Sequence, residues 1–377
     1  MSFAQLALIG VVAVLGPLFS LQRVVRVPVV IGELGVGVVL GSSGVNLLDG
    51  HDPTFAFLAD QIGFALVMFV AGSHVPIRSA GMRAGLRRGL LRACAIGVLA
   101  VPVGQAIAAA FGTGHGLLYA VLLASSSAAV VMPALDGLDL TAPAILDLLP
   151  QIAIADAACI VMLPLTLEPS KAPARAAGAI VLLAMSYLLY RLLAAAEASG
   201  WRRAVHHLSE ERHLALELRI SLILLFAMAA LAQAVHVSVM VAGFVVGLTV
   251  AAVGEPRRLA NQLFALTEGF FAPLFFVWLG ASLDVRQALA QPRFVLLGLA
   301  LGLGAALVHG LMAITGQPLS VAVTTCAQLG VPVAAASLGR AQGVLAAGED
   351  AALVLGALAT IVLTAAAGAG VARHAGQ

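Results

Sequence analysis

The sequence predicts an all-α membrane protein with about thirteen transmembrane helices. Of its 377 residues, 61% are hydrophobic and only 10% are charged, whereas soluble proteins carry about 25% charged residues. The hydrophobic residues form runs close to the roughly 20 residues that a helix needs to cross a bilayer. The net charge of +2, without a basic stretch interleaved with aromatic residues, argues against nucleic-acid binding.

Thirteen apolar runs, separated by polar, glycine or proline residues, are candidate spans. They cover residues 3–21, 28–43, 55–74, 90–111, 116–135, 145–167, 175–196, 214–233, 238–254, 262–283, 293–314, 318–340 and 350–371. An odd number of spans places the two termini on opposite sides of the membrane.

The basic residues predict the orientation, because cytoplasmic loops are enriched in Lys and Arg. With the N-terminus outside, fifteen of the 20 Lys and Arg residues fall on the cytoplasmic side. We therefore expect an external N-terminus and a cytoplasmic C-terminus. The longest polar stretch, 191–213, is predicted to be a cytoplasmic linker between a first half at 1–190 and a second half at 214–377.

Two pairs of spans have similar sequences and occur in the same order. VVIGELGVGVVLG at 29–41 resembles VMVAGFVVGLTVA at 239–251, and FALVMFVAGSHVPI at 64–77 resembles FAPLFFVWLGASLDV at 271–285. An odd number of spans separates the copies, so the second copy is inverted relative to the first. Inverted repeats are typical of secondary transporters, whose site lies near the bilayer midplane. The sequence therefore predicts two inverted six-helix repeats, helices 1–6 and 8–13.

The fifth and twelfth spans are each interrupted by residues that do not favour a continuous helix. They are Ser125, Ser126, Ser127 and Pro133 in the fifth span, and Gln328, Gly330 and Pro332 in the twelfth. Irregular backbone at membrane depth is tolerated only where it lines a cavity or is buried in protein. Two broken helices at corresponding places in the repeats thus indicate the position of a binding site.

Asp156 is the central candidate for function. It lies near the middle of the sixth span, in the apolar run QIAIADAACIVMLPL at 151–165, where an acid costs about 2.5–3.5 kcal/mol by insertion scales. Such a carboxylate can bind a proton or a monovalent cation, but hardly both at once, and this competition is the minimal chemistry of an exchanger. The alternative is a structural carboxyl group that hydrogen-bonds backbone freed by a broken helix.

Five further side chains are candidate cation ligands because they offer oxygen atoms. Ser125, Ser126 and Ser127 carry hydroxyl groups, which suit a hard cation, although serines in helices often bond their own backbone instead. Gln151 lies five residues before Asp156, about one and a half helical turns. Gln328 lies beside the second interruption. Both glutamines have simple helix packing as the alternative role.

Three other acids are candidates for an entrance or a gate. Glu33 lies in the second span, and its two candidate roles are to line an entrance and to contact a neighbouring helix. Asp60 and Glu268 occupy nearly corresponding positions at the starts of the third and tenth spans, and their alternative role is interfacial. The sequence contains no nucleophile–base pair, metal cluster or phosphate-binding loop, so neither an enzyme nor a cofactor is predicted.

Several motifs, taken in order, resemble a known family. They are RVPVVIGELGVGVVLGSSGV (26–45), IGFALVMFVAGSHV (62–75), SSSAAVVMPAL (125–135), FFAPLFFVWLGASLDV (270–285) and AQLGVPVAAASLG (327–339). Together they are similar to the transmembrane module of the monovalent cation:proton antiporter-2 family, the Kef-type Na⁺/H⁺ or K⁺/H⁺ exchangers. The resemblance covers nearly the whole chain.

The resemblance implies the Na⁺/H⁺ antiporter fold, in which two broken helices cross within a six-helix core domain beside a panel domain. It also implies elevator-type alternating access, a homodimer and a bacterial inner membrane. Asp156 matches the family's ion-carrying aspartate, and Ser127 stands where a threonine is usual. Ala155 replaces the polar or acidic residue that relatives often carry, which suggests electroneutral exchange.

The choice between Na⁺ and K⁺ remains open at this point. Two other function classes are also consistent with the pattern. One is a proton-coupled exporter of an organic solute built on the same inverted-repeat plan. The other is a degenerate, non-transporting membrane sensor or assembly protein, which the missing polar neighbour of Asp156 motivates.

Overall fold

The computed structural model of the protein is all-helical in the part that it describes. That part comprises residues 2–20, 29–50, 52–73, 80–127, 130–131, 147–201, 205, 208–209, 211–212, 214–254, 257–283 and 285–375, and no strand occurs in it. The helices, in chain order, are α1 (Phe3–Ser20), α2 (Val29–Leu40), α3 (Pro53–Ser73), α4 (Ala80–Phe111), α5 (Gly116–Ala124), α6 (Leu148–Leu167), α7 (Ala172–Ala198), α8 (Leu216–Ala234), α9 (Val239–Val253), α10 (257–282), α11 (Pro292–Gly310), α12a (Leu319–Thr324), α12b (Gly330–Ala341) and α13 (Glu349–Ala375).

Eight helices within the described ranges are long and apolar enough to cross a membrane. They are α3, α4, α6, α7, α8, α10, α11 and α13, with α11 extended by the 3₁₀ turn Leu311–Thr315. The protein is therefore a multi-pass integral membrane protein, as the composition predicts. The remaining predicted spans fall on shorter or interrupted helices, so the count of thirteen stays a prediction.

Most helix boundaries lie within a few residues of the predicted spans, and α4 is an exception. That helix begins at Ala80, ten residues before the predicted start of the span at 90. The additional residues include Arg87 and Arg88. Arginine is a good helix former, and its long side chain reaches out of the apolar region. A helix can therefore continue past the apolar run that a hydropathy reading detects.

The chain divides by its internal contacts into two compact units. The first comprises residues 1–13, 51–78 and 170–278, and the second comprises 14–50, 79–169 and 279–377. Each unit draws segments from both halves of the sequence. The second unit contains both interrupted helices as well as α4, α6, α11 and α13.

Close packing at glycine joins α3 to α9 in the first unit. A Cβ atom added to Gly72 would lie 2.2 Å from the carbonyl oxygen of Phe244 and 2.9 Å from the amide nitrogen of Leu248. Small residues allow helix backbones to approach this closely. A side chain at this position would therefore force the two helices apart.

The same arrangement occurs in the second unit, between α2 and the end of α10. A Cβ atom added to Gly280 would lie 2.2 Å from the carbonyl oxygen of Leu34 and 2.9 Å from the amide nitrogen of Val38. The spacing of the two contacted residues is the same as in the α3–α9 pair.

Helices α3 and α10 each contain a π-helical turn near the start of their apolar part. The turns are Phe57–Gly63 in α3 and Thr267–Phe271 in α10. The two helices contact each other in the first unit, where the rings of Phe64 and Phe275 stack with centroids 4.5 Å apart. Single π turns inside α-helices are often found at functional positions.

Candidate ion-binding site

Among the described residues, non-helical backbone follows both α5 and α12a, and these two breaks meet in the second unit. The helix α5 ends at Ala124, and Ser125, Ser126 and Ser127 follow it in non-helical backbone. The second interruption, 325–329, separates α12a from α12b. The hydroxyl group of Ser126 donates a hydrogen bond of 2.7 Å to the carbonyl oxygen of Thr325. The two breaks thus touch through one buried hydrogen bond.

The three serines of the first break have different partners. The Ser125 hydroxyl donates back to the carbonyl oxygen of Leu122, at 2.9 Å. The Ser127 carbonyl oxygen accepts from the amide nitrogens of Val130 and Val131, at 3.1 and 3.0 Å, so the chain becomes helical again here. The Ser127 hydroxyl makes no hydrogen bond to any residue that the structure describes. Of the three hydroxyl groups, it is therefore the most available ligand.

The second break satisfies its backbone through side chains of neighbouring helices. The Gln328 amide nitrogen donates to the Thr360 hydroxyl on α13, at 3.1 Å. Gly330 begins α12b, and Pro332 lies in its first turn, where the missing N–H of proline costs little. The side-chain nitrogen of Gln328 is buried without a hydrogen-bond partner among the described residues. Pro133, predicted to interrupt the fifth span, lies outside those residues.

Asp156 lies near the middle of α6 and is half-buried. In the described part of the chain, no hydrogen bond or ion pair to its carboxylate is found. Gln151, five residues earlier on the same helix, donates from Nε2 to the Thr325 hydroxyl at 3.3 Å. Five residues correspond to about 7.5 Å along a helix axis. Asp156 thus lies about one and a half turns beyond the point where α6 is attached to the second break.

Gln151 belongs to a buried network that the sequence did not predict. Its side-chain oxygen accepts from Nε2 of Gln317 at 3.1 Å. Nδ1 of His309 lies 2.7 Å from the Thr325 hydroxyl. A histidine inside an apolar run was the available signal for His309, whereas nothing in the sequence distinguishes Thr325 from other buried threonines.

The predicted entrance residues lie on helices other than α5, α6 and α12b. Glu33 is buried in α2 of the second unit. Asp60 is buried in the π turn of α3, where its carboxylate accepts from Nε2 of Gln61 at 2.9 Å. Glu268 is exposed in the π turn of α10. Asp60 and Glu268 both belong to the first unit.

The donor atoms near the crossing are hydroxyl, carbonyl, amide and carboxylate oxygens. Among the residues that the structure covers, no group of three or more His, Cys, Asp and Glu side chains is placed to hold a metal ion. Oxygen donors suit hard cations, whereas thiolate and imidazole clusters suit transition metals. The donor set therefore suits a hard cation better than a transition metal.

A comparison with protein families identifies the chain. The transmembrane sodium/hydrogen exchanger family matches residues 10–371. The chain belongs to the sodium/hydrogen exchanger family. This is a family of transporters and not of enzymes, in agreement with the sequence prediction. The match supports the broader antiporter resemblance, and it does not distinguish the Kef-type subdivision.

Two relatives illustrate the similarity at the sequence level. The putative Na⁺/H⁺ antiporter YjbQ of Bacillus subtilis is 24% identical over 391 residues, with 96% of this chain and 62% of that protein covered. The Na⁺/H⁺ antiporter of Enterococcus hirae is 24% identical over 287 residues, with 74% and 72% covered. The chain thus spans less than two thirds of the Bacillus subtilis relative.

A solved structure shows the same fold. The sodium proton antiporter MjNhaP1 of Methanocaldococcus jannaschii superposes with a TM-score of 0.65 over 98% of this chain and 97% of its own. The sequence identity is 15%, so the likeness concerns the fold. The predicted antiporter fold is confirmed at this level.

Proposed function

We propose that the protein exchanges Na⁺ for protons across the membrane and that Asp156 carries each in turn. The observation that carries the proposal is the position of Asp156. It is a carboxylate in the middle of a membrane helix, and Gln151 attaches that helix to the place where two broken helices meet. The relatives are named as Na⁺/H⁺ antiporters, which supports the choice of ions.

Competition for one carboxylate is sufficient to couple the two ions. When Asp156 is ionised it attracts Na⁺, and when it is protonated it has no charge to offer. Loading one ion therefore releases the other. Because Ala155 contributes no second charge next to Asp156, we propose exchange of one Na⁺ for one proton, without net charge movement.

The hydrogen bonds of the break residues suggest different roles for the candidate ligands. Ser127 has a hydroxyl group available to a cation, whereas the hydroxyl proton of Ser126 is committed to Thr325. Gln328 retains an unpaired side-chain nitrogen among the described residues. We propose that Asp156 and Ser127 contact the ion, that Ser126 and Gln151 hold the breaks, and that Ser125 stabilises the end of α5.

An elevator-type cycle requires the ion site to travel with one rigid part of the protein. Asp156, the two breaks and Gln151 all belong to the second unit, which supports this mechanism. During the cycle, the second unit would expose Asp156 to one side of the membrane and then to the other.

The glycine contacts support the proposal of inverted repeats. Gly72 meets residues 244 and 248, and Gly280 meets residues 34 and 38. Gly72 and Gly280 occupy matching places in the paired motifs, and so do the two sets of contacted residues. The shared π turns and helix breaks support the same correspondence.

Our proposals for the family subdivision, the membrane orientation and the oligomeric state rest on the sequence. The ordered motifs favour the Kef-type subdivision, in which K⁺ is the alternative cation. The distribution of Lys and Arg favours an external N-terminus and a cytoplasmic C-terminus. The family resemblance favours a homodimer in a bacterial inner membrane and two halves joined by the linker 191–213.

Proton flux in sealed proteoliposomes tests the proposed function. A pH gradient is imposed, and Na⁺, K⁺ or choline is added to wild type, Asp156→Asn and the control Asp60→Asn. We expect Na⁺ to collapse the gradient for wild type and for Asp60→Asn, and to have no effect for Asp156→Asn. If neither Na⁺ nor K⁺ collapses the gradient for wild type between about pH 6 and 9, antiport is contradicted. That result would favour an organic-solute exporter or a non-transporting protein.

A further inference from the structure

His309 is a buried, titratable side chain that the proposed exchange does not use. It is the second-last residue of α11 and is 0% exposed. Its Nδ1 atom lies 2.7 Å from the hydroxyl oxygen of Thr325. Thr325 is the first residue of the second helix break, so α11 is connected directly to the break.

Thr325 is the point at which four segments converge. Its carbonyl oxygen accepts the hydrogen bond from Ser126 of the first break. Its hydroxyl oxygen accepts a hydrogen bond from Nε2 of Gln151 in α6 and lies next to Nδ1 of His309 in α11. Its hydroxyl group donates a hydrogen bond of 2.7 Å to the carbonyl oxygen of Ala322 in α12a. The position of this one residue therefore depends on partners from several helices.

The two ring nitrogens of His309 have different surroundings. The Thr325 hydroxyl donates its proton to the carbonyl oxygen of Ala322, so Nδ1 of His309 carries the N–H that donates to the Thr325 hydroxyl oxygen. The other ring nitrogen, Nε2, is buried without a hydrogen-bond partner among the described residues.

We propose that His309 is a positioning residue, whose ring holds Thr325 against the first helix break and thereby fixes the backbone around the cation site. This role deepens the proposed exchange and rests on it. His309 does not contact the ion. It acts through Thr325, whose carbonyl group receives Ser126 next to the available hydroxyl of Ser127.

Two substitutions separate this role from that of a proton carrier. His309→Asn places an amide near the position of Nδ1, so it keeps a partner for Thr325 but cannot titrate. His309→Leu removes both the hydrogen-bond partner of Thr325 and the titratable group. A positioning role predicts that His309→Asn retains the exchange activity that His309→Leu loses. It also predicts that the pH profile of His309→Asn is the same as that of wild type. A proton-carrying role predicts that both variants fail and that Asn shifts the profile.

The first measurement is independent of transport. Amide hydrogen exchange is followed by mass spectrometry in peptides covering 319–330 and 116–127, with 64–73 as the reference. We expect His309→Leu to speed exchange at the breaks about tenfold, as for one lost buried hydrogen bond, and His309→Asn to restore most of the protection. Equal exchange in wild type and His309→Leu would overturn the proposal.

The second measurement is Na⁺-driven proton flux by the same variants. We expect a maximal rate about tenfold lower for His309→Leu, with recovery for His309→Asn. One outcome is that wild type shows no flux while His309→Leu still speeds amide exchange at the breaks. In that case the Na⁺/H⁺ exchange proposal fails, and the positioning role of His309 is supported. If His309→Leu unfolds, Thr325→Val replaces it, because valine keeps the size and the carbonyl group, with Thr325→Ser as the rescue. Failure of serine to rescue valine would overturn the proposal.

Discussion

At the scale of single residues, the site is defined by which polar atoms already have partners. Ser125 and Ser127 are identical in type and lie two positions apart, yet the Ser125 hydroxyl is bonded to Leu122, and no described residue bonds that of Ser127. Sequence can nominate both serines and cannot choose between them, because the choice depends on where the helix stops. Asp156 can be proposed from the sequence alone, since a lone acid in an apolar span is unusual.

Ser127→Ala tests the assignment of a cation ligand. Loss of one neutral oxygen ligand should weaken Na⁺ binding by about 1–1.5 kcal/mol, which raises the KM for Na⁺ about tenfold. Initial rates in proteoliposomes over a range of Na⁺ concentrations measure this change. Ser125→Ala is the matched control and should leave KM within about twofold. Equal effects of the two substitutions would contradict the assignment.

A second residue-scale prediction concerns His115 and Glu349, which lie outside the ion site. Nδ1 of His115 is 2.7 Å from a carboxylate oxygen of the fully buried Glu349, which also accepts from Tyr119 at 2.6 Å. The hydrogen bond to Glu349 raises the pKa of His115 above its ordinary value of 6.5, against a smaller opposing effect of burial. Arg293 lines the same cavity, of about 290 Å³.

Because the pKa of His115 is raised on folding, the pair stabilises the protein fully below about pH 6.5 and loses this contribution as pH rises through the folded-state value. His115→Gln should therefore be less stable than wild type by about 1.5–3 kcal/mol at pH 5.5, and the gap should narrow toward pH 9. Thermal unfolding in detergent at several pH values measures it. A stability difference between wild type and His115→Gln that stays constant or widens as pH rises would contradict the raised pKa of His115.

At the scale of helices, close contacts at glycine explain the motifs that the paired spans share. A hydropathy pattern shows that α3 and α10 are apolar, but only the packing reveals why a glycine recurs at 72 and 280. In both places the partner backbone occupies the space of a side chain. The similarity of the paired motifs was therefore visible in the sequence, while the packing at their glycines required the structure.

Gly72→Ala and Gly280→Ala should each destabilise the protein by about 1–3 kcal/mol, as for an overpacked interior. The added methyl groups meet backbone atoms at 2.2 Å, which cannot be relieved by a rotamer change. Gly97→Ala in α4 is the control, because a Cβ atom there meets nothing within 4 Å. Alanine at that position should be neutral or stabilise the helix by up to about 1 kcal/mol. Similar unfolding temperatures for all three variants would refute the packing account.

At the scale of the whole molecule, membrane embedding makes much of the fold predictable. Backbone groups in a bilayer must be satisfied within a helix, so long apolar runs translate almost directly into helices, and nearly all predicted boundaries agree with the structure. The same rule exposed the two helix breaks through their serine, glycine and proline residues. The network of Gln151, Gln317, Thr325 and His309 was not predictable, because its members come from distant segments that only the fold brings together.

The central claim, that Asp156 holds either a proton or Na⁺, is tested most directly by counting protons released on binding. Purified protein in weakly buffered detergent solution is titrated with Na⁺ at a series of pH values, and the released protons are measured alongside the bound Na⁺. At a pH where the carboxyl group is protonated, we predict about one proton released per Na⁺ bound by wild type. Asp156→Asn should neither bind Na⁺ at this site nor release a proton. Sodium binding without proton release by wild type, or unchanged release by Asp156→Asn, would contradict the account.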